Sequence, residues 1–523
     1  MQREPLNFLA ELLKPGRSCR PAFFRNDAVL SLEQVFVMAW DICVHLPKSA
    51  AGETVILAVD DSAELLAGIL AVWIWDGVPM IPNGFREEAL RKAAAFGSII
   101  VSKGSILREN EVSLGFQDSA ALLDITDLSR DPEFREVSIA ERRRDFRMSL
   151  EALSQEDPSL LELLQLTSGS TGEPKVIGRT LAGLMREVSA LDSLGIIRKD
   201  LLSLSVSTVP NYHAYGIMFR FFFPLAMDIP VYDAMLRYEE QFSLPERLGI
   251  PYYTVSNPGF LKRLSAEGSL RNCRLLISAG GRLTDKARVR GQAFFGGEVL
   301  EIFGSTETGA MAYRYTGDSV ALWHPVPGNR FYVAARDTPE SGTEVILMTA
   351  SGEGLFLLES PYLENAALTG AFQGRKIPVF ASGDAVSISG EGFLTLLGRQ
   401  GRLIKIEDNR VSLDEVEAGF SFIPEIQDAA VVSYDKDGRE GTLAFVTLNE
   451  QGLRTLAATS SGKMIIGFRN ILRNHMLPLA VPRKFIFLPA MPVNANGKTD
   501  YVKLNARARE LETDLSPDEM LDE

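Results

Sequence analysis

Apolar positions along the chain fall into two rhythms. In residues 28–46, Ser31 precedes the run LEQVFVMAWDICVHL and Gln34 stands three positions later. That spacing is a capping box, so a helix is expected to start there. TVILAVDD, residues 54–61, is an apolar strand-like run ending in polar residues, and SAELLAGILAVWIW follows as a helix. Strand–helix alternation of this kind implies a parallel sheet covered on both faces. The rhythm returns at 249–310, where GIPYYTVSNP, GFLKRL, CRLLISAGG, KARVRGQAF and EVLEIFGSTETG alternate strand and helix. Several of these strands end in Gly/Ser/Thr loops, which is where open α/β sheets place ligands.

The pattern changes over 330–397. Short β-like runs (EVILMTA, GLFLLES, FLTLL) stand between glycine-containing turns, which predicts a β-rich subdomain. From residue 399 a smaller α+β unit follows: helical SLDEVEAGF, strand DAAVVSYD, a turn at Gly438, strand TLAFVTL, helix MIIGFRNILRNHM and strand KFIFLP. The end, ELETDLSPDEMLDE, holds seven acids and no base and reads as a solvated tail.

Composition narrows the class. A length of 523 residues, at about 150 per domain, suggests two to four folding units. Apolar residues make up 46% and charged ones 23%, ordinary globular usage. The net charge of −14 argues against a generic nucleic-acid or anionic-membrane binder, though half of it lies in the tail. Three cysteines and four histidines are too few and too scattered for a disulfide frame or a His-rich metal centre. The first residues, MQREPLNFLAELLKPGRS, are charged where a signal peptide needs its apolar stretch. The longest apolar run, residues 65–75, is far short of the roughly 18 needed for a span. AYGIMFRFFFPLAM is interrupted by Arg220 and Pro224. A soluble, cytoplasmic chain without a membrane span is the expectation.

The sharpest chemical feature is LLQLTSGSTGEPKVIG, residues 163–178. It packs Thr167, Ser168, Gly169, Ser170, Thr171, Gly172 and Lys175 into one short stretch after an apolar strand. The glycines permit a tight turn that exposes backbone N–H groups, and the hydroxyls and lysine add donors suited to a polyphosphate. It is not a Walker A loop, because the GxxxxGK[ST] spacing fails. The plain alternative is a Ser/Gly surface turn.

TSGSTGEPK resembles the phosphate loop of the adenylate-forming superfamily: acyl- and aryl-CoA synthetases, peptide-synthetase adenylation domains and luciferases. Four further stretches resemble that family's motifs in the expected order. They are EIFGSTETG (301–309), FASGDAV (380–386), GRQGRLIKIEDNRVSLDEVE (398–417) and PVNANGKTDY (492–501). With the element pattern, the resemblance implies an α/β fold. A large N-terminal domain over 1–400 would hold two doubly wound sheets and the β-rich subdomain. A small mobile α+β domain over 401–509 would carry the catalytic lysine, and 510–523 would be the acidic tail. The implied reaction joins a carboxylic acid to the α-phosphate of ATP, expels pyrophosphate, then passes the acyl group to a phosphopantetheine thiol of CoA or of an acyl carrier protein.

By the same resemblance, Glu307 holds Mg²⁺ and Thr306 contacts phosphate, while Phe303, Gly304 and Ser305 line the nucleotide. Asp384 would hold the ribose hydroxyls with support from Arg399. Lys498 would bridge the substrate carboxylate and the α-phosphate, a point charge brought to where charge develops. Gly280 and Gly281, in SAGG, would run along adenine and the acyl group. His213, in YHAYG, would line the carboxylate or acyl pocket. Relatives that activate amino acids usually carry an Asp in that motif, and none stands here, which disfavours an α-amino acid. The neighbouring Tyr215, Phe219, Phe221, Phe222 and Phe223 suit either an aryl or fatty-acyl pocket or plain core, with core the main reading. The ERRRDFR run (141–147) reads as a solvated face, with docking of CoA phosphates or an acidic carrier as the lesser reading.

Two positions depart from the family pattern. The hinge residue, usually Asp, is Gly401, whose backbone freedom should preserve rotation. Asp408 replaces a glycine that approaches the pantetheine thiol in relatives. With GRTLAGLMREVSAL and YHAYGIMFRFFFPL, these features resemble a stand-alone ligase subgroup of fatty-acid-like or aryl-polyene pathways. Two rival functions stay open: capture of the adenylate by a non-thiol group, as in β-lactone formation, and a catalytically inactive ATP- or acyl-binding relative.

Overall fold

The computed structural model describes residues 6–25, 28–47, 52–85, 87–97, 99–102, 121–125, 128, 137–168, 174–198, 202–265, 269–315, 322–334, 345–364, 368–406, 409–436, 439–494 and 498–513. The chain divides into two compact units. The first comprises Met1–Leu283, Ala287–Arg330 and Glu359–Ala367; the second comprises Thr284–Lys286, Phe331–Leu358 and Leu368–Glu523.

The first unit is built on two sheets. One runs Ala121–Asp124, Ile99–Ser102, Thr54–Ala58, Val78–Ile81, Glu162–Ser168, Pro174–Thr180 in spatial order. Its pairings are parallel except the last, an antiparallel hairpin. The other has nine strands, with a parallel centre from Glu298–Ser305 through Cys273–Ser278, Tyr252–Ser256, Leu204–Ser207 and Val231–Tyr232 to Pro21–Arg25. Antiparallel strands close both edges.

The expected elements are present where the local chemistry called for them. Ser31 accepts from the Gln34 N–H at 3.4 Å and Gln34 Oε1 accepts from the Ser31 N–H at 2.8 Å, closing the capping box that opens helix Leu32–His45. Helix Ser62–Ile74 is buried from Ser62 to Trp73, which is why its sequence is apolar on every side after Glu64, itself paired with Arg25 at 3.3 Å. The aromatic run forms a π-helix, Ile217–Phe222, whose Phe219, Phe221 and Phe222 belong to the main core. Arg220 is fully buried there and donates to the carbonyls of Val209, at 3.2 Å, and Asp233, at 2.5 Å. Among the described residues, no helix is long and apolar enough to cross a membrane.

ERRRDFR is less solvated than its composition suggests. It lies on helix Ile139–Leu153, and Arg142 is buried, its Nη1 donating to Asp41 at 2.9 Å. Arg143, Arg144 and Arg147 pair with Glu33, Asp145 and Glu151. The run is therefore partly an anchor against the neighbouring helix, and its charge is balanced locally.

In the second unit a six-stranded sheet (Gly352–Glu359, Arg330–Ala334, Val345–Thr349, Leu368–Phe372, Arg375–Ile388, Leu394–Arg399) makes the β-rich part. A two-stranded ladder, Leu403–Ile406 with Asn409–Ser412, follows it. The sheet Ile426–Lys436, Arg439–Leu448, Lys484–Phe487 comes next. Helices Glu450–Ala458 and Tyr501–Thr513 add to those read from the sequence. The latter takes in residues 510–513 of the acidic run, where Leu511 packs against the cluster containing Leu504 and Ala508. The remaining acidic residues, 514–523, and the turn at Gly438 lie outside the described residues.

Candidate active site

Two antiparallel hairpins of the first unit bring the phosphate-loop residues and the GSTETG turn together. Glu162–Ser168 pairs with Pro174–Thr180 in a register that sets Thr167 opposite Lys175 and Ser168 opposite Pro174. The Thr167 hydroxyl donates to the Lys175 carbonyl at 3.1 Å, bracing the base of the loop. Gly169, Ser170, Thr171 and Gly172 lie outside the described residues. Lys175 Nζ stands 3.4 Å from Glu307 Oε1. Their side chains are 59% and 29% exposed, so the pair opens to solvent and can separate around a ligand.

Glu307 sits in the turn between strands Glu298–Ser305 and Gly309–Tyr315. Within it, the Ser305 N–H donates to Thr308 Oγ1 at 3.1 Å, and the Thr308 hydroxyl donates to the Gly309 carbonyl at 3.0 Å. A Cβ on Gly304 would overlap the Gly309 carbonyl, so glycine is what lets the two strands approach. Thr308 is buried, while Thr306 and Glu307 are half-buried at the tip. Phe303 lies beneath the turn, its ring 5.8 Å from that of Trp323.

Gly280 and Gly281 follow strand Cys273–Ser278, with Gly280 at φ +82. The Tyr215 hydroxyl clamps two strand ends, donating to Ser256 O at 2.9 Å and Ile277 O at 2.6 Å. Burial pushes its phenol well above the ordinary range, so it stays a donor. Tyr215 is thus a brace for the strands beside Gly280. His213 is half-buried at the start of the short helix Ala214–Gly216, its ring 4.9 Å from Tyr212, which meets Phe85 edge-on at 5.3 Å.

The remaining candidates belong to the second unit. Asp384 is buried and pairs in register with Arg399 across the Arg375–Ile388 and Leu394–Arg399 strands. Gly401 is exposed. Lys498 is exposed in a turn closed by the Lys498 N–H to Asn494 Oδ1 at 3.1 Å and the Asn494 N–H to the Lys498 carbonyl at 2.8 Å. Asp408 lies outside the described residues.

Two charged clusters, one buried and one half-buried, were not foreseen from the sequence. Arg179 and Glu187 form an ion pair at 2.7 Å beneath the 305–310 turn. Arg402, one residue past Gly401, meets Asp414 and Glu417 at 2.5 Å each and lies 4.1 Å over the ring of Tyr501. The one local sign of the first was an acid on an apolar face: Leu184, Glu187, Val188 and Leu191 share the buried side of helix Leu181–Ser193.

Comparison with known proteins follows the same lines. Residues 44–348 match the AMP-binding enzyme family, and residues 415–498 match the AMP-binding enzyme C-terminal domain. The benzoate–CoA ligase of Thauera aromatica is 28% identical over 375 residues, covering 65% of this chain and 64% of that protein. The malpinin synthetase of Mortierella alpina is 24% identical over 486 residues, 86% of this chain but 6% of that protein. The chain thus spans less than two thirds of the length of either relative. The crystal structure of the anthranilate CoA ligase AuaEII in complex with anthranoyl-AMP has the same fold, with a TM-score of 0.76 at 19% identity over 97% of this chain and 98% of that one. The motifs, the paired sheets and the family match over more than half of the chain agree: it belongs to the AMP-binding enzyme family, the adenylate-forming superfamily.

Proposed function

We propose that this chain is an acid–thiol ligase. It activates a carboxylic acid as an acyl- or aryl-adenylate and then transfers the acyl group to a phosphopantetheine thiol. The observation that carries this reading is the approach of Lys175 to Glu307 at 3.4 Å, which sets a cation and a carboxylate from two family motifs side by side. In the first step a substrate carboxylate oxygen bonds to the α-phosphorus of ATP and the bond to the pyrophosphate oxygen breaks. The protein's task there is to position and to neutralise. Lys175 and the loop donors hold the polyphosphate, and Lys498, on the mobile unit, meets charge developing at the α-phosphate. Asp384 accepts from the ribose hydroxyls. In the second step the thiolate sulfur bonds to the acyl carbon and AMP leaves.

Among the described residues no cluster of three or more His, Cys, Asp or Glu could hold a metal ion alone. Mg²⁺ is commonly held by one or two carboxylates plus substrate phosphates, and the half-exposed Glu307 beside Lys175 fits that donor set. The ion would supply neutralisation of the leaving pyrophosphate.

An aryl acid is supported by the Phe85–Tyr212–His213 ring contacts and by the benzoate–CoA ligase relative. Rotation about the exposed Gly401 would exchange the two half-reactions, dividing the chain functionally near residue 400. The test is ATP–pyrophosphate exchange over aryl, medium-chain and long-chain acids, followed by product analysis with CoA and with a holo carrier protein. Acid-dependent exchange and a thioester product are expected. No exchange with any acid, or a β-lactone in place of a thioester, would replace this reading by one of its rivals.

A further inference from the structure

The proposed reaction leaves one buried polar set without a task, and it lies directly beneath the Glu307 turn. Glu187 is 1% exposed on helix Leu181–Ser193. Its Oε1 accepts from the Ala310 N–H at 2.8 Å, and its Oε2 stands 2.7 Å from Arg179 Nη1. Arg179 lies on strand Pro174–Thr180, four residues beyond Lys175, and Ala310 lies three beyond Glu307. Gly309 adopts φ +64 against the same carboxylate, and a Cβ there would overlap it. From other directions the Tyr362 hydroxyl donates to the Ala310 carbonyl at 2.9 Å, and Asn329 Nδ2 donates to the carbonyls of Ala310, at 3.1 Å, and Met311, at 2.9 Å. Side chains thus hold both polar groups of the Ala310 backbone.

Stability alone explains this set poorly. A buried Arg–Glu pair is often no better for the fold than apolar residues of the same volume. What the set does determine is geometry: one carboxylate ties the strand carrying Lys175 to the turn carrying Glu307. We propose that Glu187 is a positioning residue, which through the Ala310 N–H and its partner Arg179 sets the Glu307 turn against the Lys175 strand and so shapes the Mg²⁺–triphosphate subsite. This rests on the reading that Lys175 and Glu307 serve ATP.

The test pairs MgATP binding, by calorimetry, with hydrogen exchange of peptides covering 303–315. Arg179→Met/Glu187→Leu removes both charges and the acceptor for Ala310. It is expected to keep a melting temperature near wild type, to speed exchange in those peptides and to weaken MgATP binding about tenfold or more, while acid KM stays put. Arg179→Met/Glu187→Gln restores an acceptor and should recover most of that binding; no recovery would overturn the role given to the Ala310 bond. If the leucine form does not fold, Glu187→Asp keeps the charge beside Arg179 but withdraws from Ala310, and the same weakening is expected. Faster exchange with wild-type MgATP affinity in either variant overturns the inference and leaves the proposed function standing. A wild type that binds no MgATP overturns both, and unchanged exchange in the variants shows that Glu187 does not hold the turn.

Discussion

Each of the two units holds an arginine–glutamate pair, one buried and one half-buried. In the first, Arg179 and Glu187 have side chains only 7% and 1% exposed. In the second, Arg402 and Glu417 are 16% and 18% exposed. Both glutamates also accept a strand N–H, Ala310 at 2.8 Å and Val431 at 2.6 Å. The second pair has further partners: Asp414, and Tyr501, whose hydroxyl reaches both Glu417 oxygens at 2.8 and 2.9 Å. Burial pushes the Glu417 carboxyl above the ordinary range, although Arg402 and the Val431 N–H pull it back. Burial opposes the Arg402 charge too, yet Glu417, Tyr501 and Asp414 hold it above its usual value. One pair thus sits sealed beneath the turn that carries Glu307. The other joins the residue after Gly401 to the helix beginning three residues past Lys498, and keeps several partners within the stretch past Gly401 that is proposed to rotate.

The largest effect that can sharpen this contrast is at Lys498. If the second unit brings its lysine only to the first half-reaction, Lys498→Ala lowers acid-dependent pyrophosphate exchange by roughly 10²–10³. Thioester formation from a supplied acyl-adenylate then stays within about twofold of wild type. Equal losses in both half-reactions would break the assignment of the two units.

Next come the glycines beside the two pairs. Gly309→Ala places a Cβ at positive φ against the Glu187 carboxylate and should cost about 1–3 kcal/mol in urea unfolding. Gly401→Ala meets nothing within 4 Å and should change stability by less than about 0.5 kcal/mol. Similar costs at both sites would mean that the first turn is no more rigid than the chain at Gly401.

The smallest effect is a pH dependence. Because the folded Glu417 pKa is raised, its proton is favoured in the folded state. That contribution is fully present below about 4.3, the unfolded value, and is lost as the pH rises through the raised folded value. Wild type should therefore lose stability relative to Glu417→Gln across that window, measured as urea midpoints at stepped pH. A difference that stays constant with pH would show that Arg402 fully offsets the burial.

Much of the molecule was legible because its causes are local. The Ser31–Gln34 box, the apolar helix run from Leu65 to Trp73 and the glycines of the 304–309 turn each follow from neighbours a few residues apart. Helix Glu450–Ala458 was missed because its 9 residues are shorter than the window of about 11 in which a helical period can be read, and Tyr501–Thr513 because its polar positions blur the period. ERRRDFR was misjudged in part because Asp41, which buries Arg142, lies 101 residues away. Arg179, Glu187 and Ala310 were missed for the same reason, since the last bond spans 123 residues.

The sequence by itself determined which family motifs the chain carries and in what order, because loops, caps and tight turns are written in contiguous residue types. Only the tertiary structure decided which groups meet. Lys175 and Glu307 are 132 residues apart and meet at 3.4 Å only because hairpins of two different sheets come together in the folded chain. Burial and long-range closure are set by the whole core, so no local stretch of sequence encodes them.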